Sequence, residues 1–230
     1  MIDAADADGK QDKPCGLSKG PSLGVVGVIG RFKPLHKSGA LMLDTLCERA
    51  ERVVIGIGSS NKYNLRNPFT AQEIRGMLEA YLSPRHKNYS IIEVSDYAQE
   101  ERYRDGQEWR KHVLEQFNGI DAFVTGNAYV AQLLADDYPI IHPTMLIPRE
   151  KWIRMRATDV RLRMAQGDCW RGLVPEEVVG YLEGHHLVER FCREFGLATL
   201  AALVDYVPGS RENAEEEYLH TAECGAEAVP

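Results

Sequence analysis

Basic side chains crowd a short segment that follows the first long apolar run of the sequence. The run covers residues 23–29 and ends at Gly30. The next seven residues supply four basic side chains, those of Arg31, Lys33, His36 and Lys37. Gly30 allows a ligand to approach the backbone closely, and a helix that begins after the segment would direct its first amide groups toward a phosphate. Because ordinary surface turns rarely gather so many basic groups, the segment predicts a phosphate-binding loop with positive donors around it.

Alternating strand and helix patterns must position this loop. Short β-branched runs predict strands, and apolar residues at helical spacing predict helices. The predicted strands are 23–29, 52–57, 89–94, 122–125 and 140–142, and the predicted helices are 40–50, 71–82, 109–117, 129–135, 158–166 and 175–182. Thr70 is expected to cap the second helix. The alternation predicts an α/β fold, a Rossmann-like doubly wound parallel sheet with helices on both faces.

In such a sheet, a ligand lies at the carboxyl ends of the strands. The loops that follow strands therefore carry the information about function. Gly58 and Ser59 follow the second predicted strand, and Gly126 and Asn127 follow the fourth. We expect both pairs to lie near the basic loop.

Composition limits the class of protein. The 230 residues are 44% hydrophobic and 27% charged, which is ordinary for a soluble globular chain. The apolar runs are far shorter than the ~20 residues of a membrane helix. A net charge of −7 gives no broad positive field for nucleic acid. These features predict no membrane or nucleic-acid partner, and they leave room for a phosphate-bearing small molecule.

The two ends of the chain differ from its body. We expect a flexible leader over 1–22, a folded domain over 23–185, a helical extension over 186–207 and an acidic disordered tail over 208–230. The apolar residues of the extension fit either contacts in a homo-oligomer or packing within one chain. Five scattered cysteines show no metal-ligand spacing, and the N-terminal residues lack a secretory pattern. The sequence therefore predicts reduced thiols in the cytoplasm and no protein-bound metal.

Several segments, taken in order, carry a resemblance to a known family. They are 30–37 (GRFKPLHK), 57–60 (IGSS), 66–73 (RNPFTAQE), 126–127 (GN), 156–161 (RATDVR) and 168–175 (DCWRGLVP). This set resembles the archaeal-type nicotinamide-nucleotide adenylyltransferases of the HxGH nucleotidyltransferase superfamily, over about residues 23–185. The resemblance implies the nucleotidylyl transferase fold with a C-terminal helical extension. It also implies transfer of AMP from ATP to nicotinamide mononucleotide (NMN), with Mg²⁺ accompanying ATP.

The resemblance also implies roles for individual residues. His36 and Arg161 would be catalytic, and Arg66 and Trp109 would bind NMN. The residues expected to bind ATP or its phosphates are Gly30, Arg31, Phe32, Lys37, Gly58, Ser59, Gly126, Asn127, Arg156 and Thr158. Thr158 is further expected to cap the helix that it begins, and Arg161 to share its face. Trp109 fits either stacking on a nicotinamide ring or packing as a half-buried helix residue.

The sequence departs from the family pattern at three positions. Ser38 stands where the HxGH motif has glycine, Gly39 stands where it has its second histidine, and Arg156 replaces a serine. The Arg156 guanidinium could supply phosphate-binding charge instead. Three functions stay open: adenylyl transfer to NMN, the same transfer to another phosphorylated acceptor or from CTP, and nucleotide binding without turnover.

Overall fold

A computed structural model gives the fold of the chain and describes residues 22–97 and 105–202. The predicted leader, apart from Ser22, and the predicted acidic tail lie outside the described residues.

The described residues form one parallel sheet. Its strands are β1 (Val25–Gly30), β2 (Arg52–Gly58), β3 (Tyr89–Val94), β4 (Ala122–Val124) and β5 (Ile140–Ile141). Their spatial order is β3-β2-β1-β4-β5, and every neighbouring pair is parallel. The predicted parallel sheet is therefore confirmed, and the chain changes direction across the sheet between β1 and β4.

Helices cover both faces of the sheet. They are α1 (Lys37–Arg49), α2 (Ala71–Leu82), α3 (Gln107–Gln116), α4 (Ala128–Leu134), α5 (Ala157–Gln166), α6 (Glu176–Gly184), α7 (Leu187–Phe191) and α8 (Leu197–Ala201), with a π-helical turn at Cys192–Gly196. One apolar cluster joins β1 and β2 to α1, α2, α5 and α6. A second cluster joins the opposite face to α3 and α4. Because strand side chains alternate between faces, the two clusters bury both sides and make the sheet doubly wound.

Of the helix starts that differ from the sequence-based prediction, those of α1 and α5 are explained by their caps. Helix α1 begins at Lys37 instead of residue 40, because the His36 side chain caps it and accepts the Gly39 N–H at 3.3 Å. The cap predicted at Thr158 is wrong, since α5 begins at Ala157 and its N-cap residue is Arg156. The Asp159 carboxylate accepts the Arg156 N–H at 2.8 Å, which fixes the earlier start.

The C-terminal segment packs onto the body of the domain. Leu187 and Phe191 are buried in the same cluster that holds β1 and β2, and the Phe191 ring stacks on Phe69 at 6.1 Å. The apolar residues of this segment are thus used at least in part within one chain, and a homo-oligomer stays a prediction. Among the described residues, no helix combines the length and hydropathy that a membrane crossing requires.

Candidate active site

The loops singled out in the sequence meet at one edge of the sheet. Strands β1, β2 and β4 lie side by side and parallel, so the loops after them leave from the same edge. These loops begin after Gly30, Gly58 and Val124. The edge includes the direction change between β1 and β4, where open α/β sheets bind ligands. We call the loop 30–37 together with residues 156–161 the phosphate side of the site.

The ring of Phe32 shapes the loop after β1 from within. Phe32 is buried and has a left-handed backbone (φ 49°). Its ring lies over Gly30, where an added Cβ would approach the ring to 2.6 Å. Glycine thus leaves room for the ring at position 30, and Phe32 packs within the loop; its contact with ATP, which the resemblance implied, stays a prediction.

His36 has one ring nitrogen committed to the protein. Its Nδ1 accepts the Gly39 N–H, so the neutral ring carries its proton on Nε2. The side chain is half-buried, and the exposed Lys37 follows it as the first residue of α1. His36 can therefore present an Nε2–H donor in a fixed orientation at the start of a helix, which suits a phosphate oxygen.

Arg161 joins α5 to the loop after β1. It is 7% exposed, and its Nη1 donates to the Lys33 carbonyl at 2.8 Å. Its Nη2 donates to Thr158 Oγ1 at 3.1 Å. The first turn of α5 is thereby held against the basic loop, although the two segments are 128 residues apart in sequence.

The environment of Lys33 differs from the one predicted from the sequence. The sequence grouped it with the positive donors around the loop, but its side chain is fully buried. Its Nζ donates to the Ser59 carbonyl at 3.0 Å and to Asn67 Oδ1 at 3.2 Å. Its neighbours Phe32, Pro34 and Leu35 are also buried. These apolar neighbours were the feature of the sequence that could have indicated the burial of Lys33.

Burial and nearby charge change the acidity of Lys33. Burial lowers the pKa of its ammonium group, and the positive charges of Arg31 and Arg161 lower it further, to about 8. The Asp96 carboxylate, which follows β3, acts in the opposite direction. The interior of the phosphate side therefore carries closely spaced positive charge.

The loop after β2 supports the site through its backbone. Ser59 has a left-handed backbone (φ 51°), and its carbonyl accepts from Lys33. Its hydroxyl donates to Asp96 Oδ2 at 3.1 Å. At Gly58 an added Cβ would lie 3.1 Å from Ile29 Cγ2, which leaves little room for a side chain. Both residues lie at the predicted edge, but Ser59 uses its hydroxyl within the protein.

Asn127 caps the helix after β4. Its Oδ1 accepts the Val130 N–H at 3.1 Å, and its own N–H donates to Thr125 Oγ1 at 3.1 Å. The cap leaves the side-chain NH₂ group as the part of Asn127 with donors for a ligand. Gly126 precedes it at the same edge.

Arg66 and Trp109, the residues expected to bind NMN, lie outside the segments of the phosphate side. We call 63–73 together with Trp109 the acceptor side. Arg66 is exposed in a turn where Asn64 Oδ1 accepts the N–H groups of both Arg66 and Asn67, each at 3.1 Å. Trp109 lies on α3, half-buried against the second apolar cluster. Trp109 thus packs against the domain with part of its ring, as one of the two alternatives predicted, and its contact with nicotinamide stays a prediction.

Arg190, in the C-terminal segment, holds the acceptor side in place, and this role was not predicted from the sequence. Arg190 pairs through two nitrogens with the Glu73 carboxylate, and its Nη2 donates to the Pro68 carbonyl at 3.1 Å. Its guanidinium lies 5.6 Å from the Tyr63 ring centre, and Tyr63 donates its hydroxyl hydrogen to Glu194. Hydrogen bonding to Arg190 lowers the pKa of Glu73 against the opposing effect of burial.

Comparison with known proteins places this geometry in a family. The model of the cytidylyltransferase-like family matches residues 28–169, which include the loop after β1, the loops after β2 and β4, and α5. The chain belongs to the cytidylyltransferase-like family.

Curated relatives in this family share most of their length with the chain. It is 32% identical over 169 residues to the nicotinamide-nucleotide adenylyltransferase of Pyrococcus furiosus, covering 70% of this chain and 84% of the relative. It is 31% identical over 164 residues to the protein of the same name from Methanocorpusculum labreanum, covering 70% and 92%. The resemblance to archaeal nicotinamide-nucleotide adenylyltransferases is thus confirmed.

A solved structure from Francisella tularensis shares the fold. It is a bifunctional NMN adenylyltransferase/ADP ribose pyrophosphatase complexed with AMP and a manganese ion, and it matches with a TM-score of 0.59 at 20% identity. The match covers 81% of this chain and 57% of that longer protein. At this identity the likeness concerns the architecture of this cytidylyltransferase-like domain.

The described residues offer no cage for a metal. Within 22–97 and 105–202, no group of three or more His, Cys, Asp or Glu side chains could hold an ion. The charged groups around Lys33 are mainly cationic, which suits phosphate oxygens.

Proposed function

We propose that this chain transfers AMP from ATP to NMN, giving NAD and releasing pyrophosphate. The observation that carries the proposal is the buried contact of Arg161 with the Lys33 carbonyl, at 2.8 Å, beside the His36 loop. It gathers donors from two distant segments at the sheet edge where this family is expected to bind nucleotides. The names of the archaeal relatives support the choice of substrates.

The phosphate side would hold the triphosphate of ATP. His36 would donate its Nε2–H to a phosphate oxygen, while Arg31, Lys37 and Arg156 would add positive charge around it. Arg161 and Thr158 would present the first turn of α5, whose backbone amides also favour anions. Gly58, Ser59, Gly126 and Asn127 would border the nucleotide at the neighbouring strand ends.

The chemistry is an in-line displacement. A phosphate oxygen of NMN would attack the α-phosphorus of ATP, and the bond from that phosphorus to the bridging oxygen of pyrophosphate would break. The attacking phosphate is already anionic, so the chain needs no general base. Its residues act by positioning the two phosphates and stabilising the charge that develops on the leaving group. Mg²⁺, as part of the MgATP substrate, would neutralise phosphate charge.

Arg66 and Trp109 would bind the acceptor. Arg66 would meet the phosphate or ribose of NMN, and the exposed edge of Trp109 would lie against the nicotinamide ring. The exposure of Arg66 favours a second candidate function, transfer to a different phosphorylated acceptor, because an open surface constrains the acceptor less than a closed pocket does.

The test is incubation with MgATP and a panel of nucleoside monophosphates that includes NMN and its acid analogue, with pyrophosphate as the readout. A parallel series replaces ATP with CTP. Pyrophosphate and NAD formed with NMN support the proposal. Pyrophosphate formed faster with another acceptor, or with CTP, favours the second candidate, and nucleotide binding without pyrophosphate contradicts both.

A further inference from the structure

The buried lysine of the phosphate side touches both halves of the site. The Lys33 ammonium donates to Ser59 in the loop after β2 and to Asn67 beside Arg66, while its own carbonyl accepts from Arg161 of α5. Through Lys33, the loop after β1 is therefore hydrogen-bonded to each of these three segments. Because its side chain is fully buried, it cannot reach a substrate itself.

Asn67 connects Lys33 to the acceptor side through hydrogen bonds. It is 5% exposed, and its Nδ2 donates to Asn64 Oδ1 at 3.0 Å. The same Asn64 oxygen accepts the Arg66 N–H. The position of Arg66 therefore depends, through one turn of backbone, on the bond between Lys33 and Asn67.

We propose that Lys33 is a positioning residue, whose ammonium group holds the acceptor side at a fixed distance from the phosphate side. The proposal rests on the proposed function, since it concerns the spacing of the same two substrates. The consequence is that removal of the ammonium group should impair the use of NMN more than the use of ATP.

The charges around Lys33 give the proposal a second consequence. Arg31, on the same loop, and Arg161, on α5, act against its protonation, and Asp96, after β3, favours it. A bound triphosphate would neutralise the two arginines and so raise the pKa of Lys33 from about 8. At pH 8 about half of the lysine is neutral, so binding of ATP should draw in up to about half a proton.

Lys33→Met is the principal test, because methionine keeps the unbranched shape and most of the length of the lysine side chain and has no side-chain donor. We expect the KM for NMN to rise about tenfold, with smaller changes in kcat and in the KM for ATP, since the buried Asn67 amide oxygen and the partly buried Ser59 carbonyl lose a charged partner. Lys33→Gln retains an N–H₂ group and should recover part of the loss. Lys87→Met is the matched control, because Lys87 is exposed at the end of α2 and donates to Ser83 outside the site. Thermal unfolding of each variant checks that it folds.

Calorimetry of ATP binding at pH 8, in two buffers with different enthalpies of ionisation, measures the proton count without turnover. The wild type and Lys87→Met should take up the proton, and Lys33→Met should not. If the uptake is unchanged in Lys33→Met, another group takes up the proton, and that result overturns the proposal. So does a folded Lys33→Met variant whose KM for NMN equals that of Lys87→Met.

The two proposals can fail separately. If the wild type forms no pyrophosphate with NMN, the proposed reaction is contradicted. Loss of proton uptake in Lys33→Met would still show the link of Lys33 to bound phosphate, because that measurement needs only ATP.

Discussion

The phosphate side and the acceptor side of the candidate active site are built from different contacts. On the phosphate side, Arg161 and Lys33 are buried and their hydrogen bonds cross the interior of the domain. On the acceptor side, Arg66 is exposed and Tyr63 is 47% exposed, and the loop is fastened from outside by Arg190. The phosphate side is held mainly by buried contacts, and the acceptor side combines a buried bond from Lys33 with a partly buried ion pair.

This difference fits the two tasks. Adenylyl transfer requires the triphosphate to lie in line with its attacker, and fixed dipoles in a buried site stabilise developing charge without reorganisation. The acceptor must be recognised and held at the right distance from the triphosphate. We therefore expect loss of a donor to the reacting phosphates, such as His36, to lower kcat strongly, and loss of groups that position or support one substrate to act mainly through the KM of that substrate.

His36→Ala should have the largest effect. His36 is the histidine of the HxGH pattern that the chain retains, and because its Nδ1 accepts the Gly39 N–H, the neutral ring carries its proton on Nε2. We expect kcat to fall about 10²- to 10³-fold, as when one charge-stabilising donor is removed. Steady-state kinetics measure the loss, with the exposed His185→Ala as control. Retention of more than half the wild-type rate would remove His36 from the catalytic residues.

Restoring the second histidine should raise the rate. At Gly39 an added Cβ would lie 3.9 Å from His36 Cε1 and 3.3 Å from Leu35 Cδ1, so a side chain there would sit beside the retained imidazole. Ser38→Gly with Gly39→His should increase kcat with NMN and ATP about tenfold if the new donor is worth ~1.4 kcal/mol.

The control for this restoration is Ser38→Gly with Gly39→Leu, which fills similar space without a donor. A restored variant slower than a fast wild type would mean that the phosphate side has been rebuilt around Arg156 or another group.

Arg190→Met tests the acceptor side. Loss of the pair with Glu73 and of the bond to Pro68 should loosen the loop that carries Arg66. We expect the KM for NMN to rise roughly fivefold, equivalent to about 1 kcal/mol. The free energy of unfolding should fall by about 2 kcal/mol, because Glu73 loses its charged partner.

Arg193→Met is the control for Arg190, since its side chain is 71% exposed and pairs with Glu194 instead of Glu73. A similar rise in the KM for ATP in Arg190→Met would show that Arg190 supports the whole site, and the contrast between the two sides would be lost.

Arg156→Ala should have the smallest effect. The variant keeps the backbone N–H that Asp159 accepts, so the start of α5 is preserved. Because the side chain is partly exposed, loss of its charge should raise the KM for ATP only about threefold. Arg154→Ala is the matched control. Unchanged ATP affinity in Arg156→Ala would exclude Arg156 as a substitute for the lost phosphate-binding groups.

Much of the fold could be predicted from the sequence, because it depends on local patterns. The β-branched runs became β1 to β5, and Thr70 caps α2 with Glu73 completing a capping box. The cap predicted at Thr158 was wrong. The backbone geometry, rather than the residue type, decides which residue precedes the first turn of α5, and it places Arg156 there. The position of the loops at one edge of the sheet could also be predicted, because alternating strands and helices imply parallel strands whose carboxyl ends lie together.

The sequence by itself determined which residues stand at strand ends, since strand and helix periods and the glycine and basic residues of the loop are written locally. Only the tertiary structure decided that Lys33 lies inside and joins Ser59 to Asn67, and that Arg190 holds Glu73 from 117 residues away. A buried cation needs acceptors that balance its lost hydration, and here those acceptors come from distant segments. Their meeting depends on the packing of the whole domain, which no local pattern encodes.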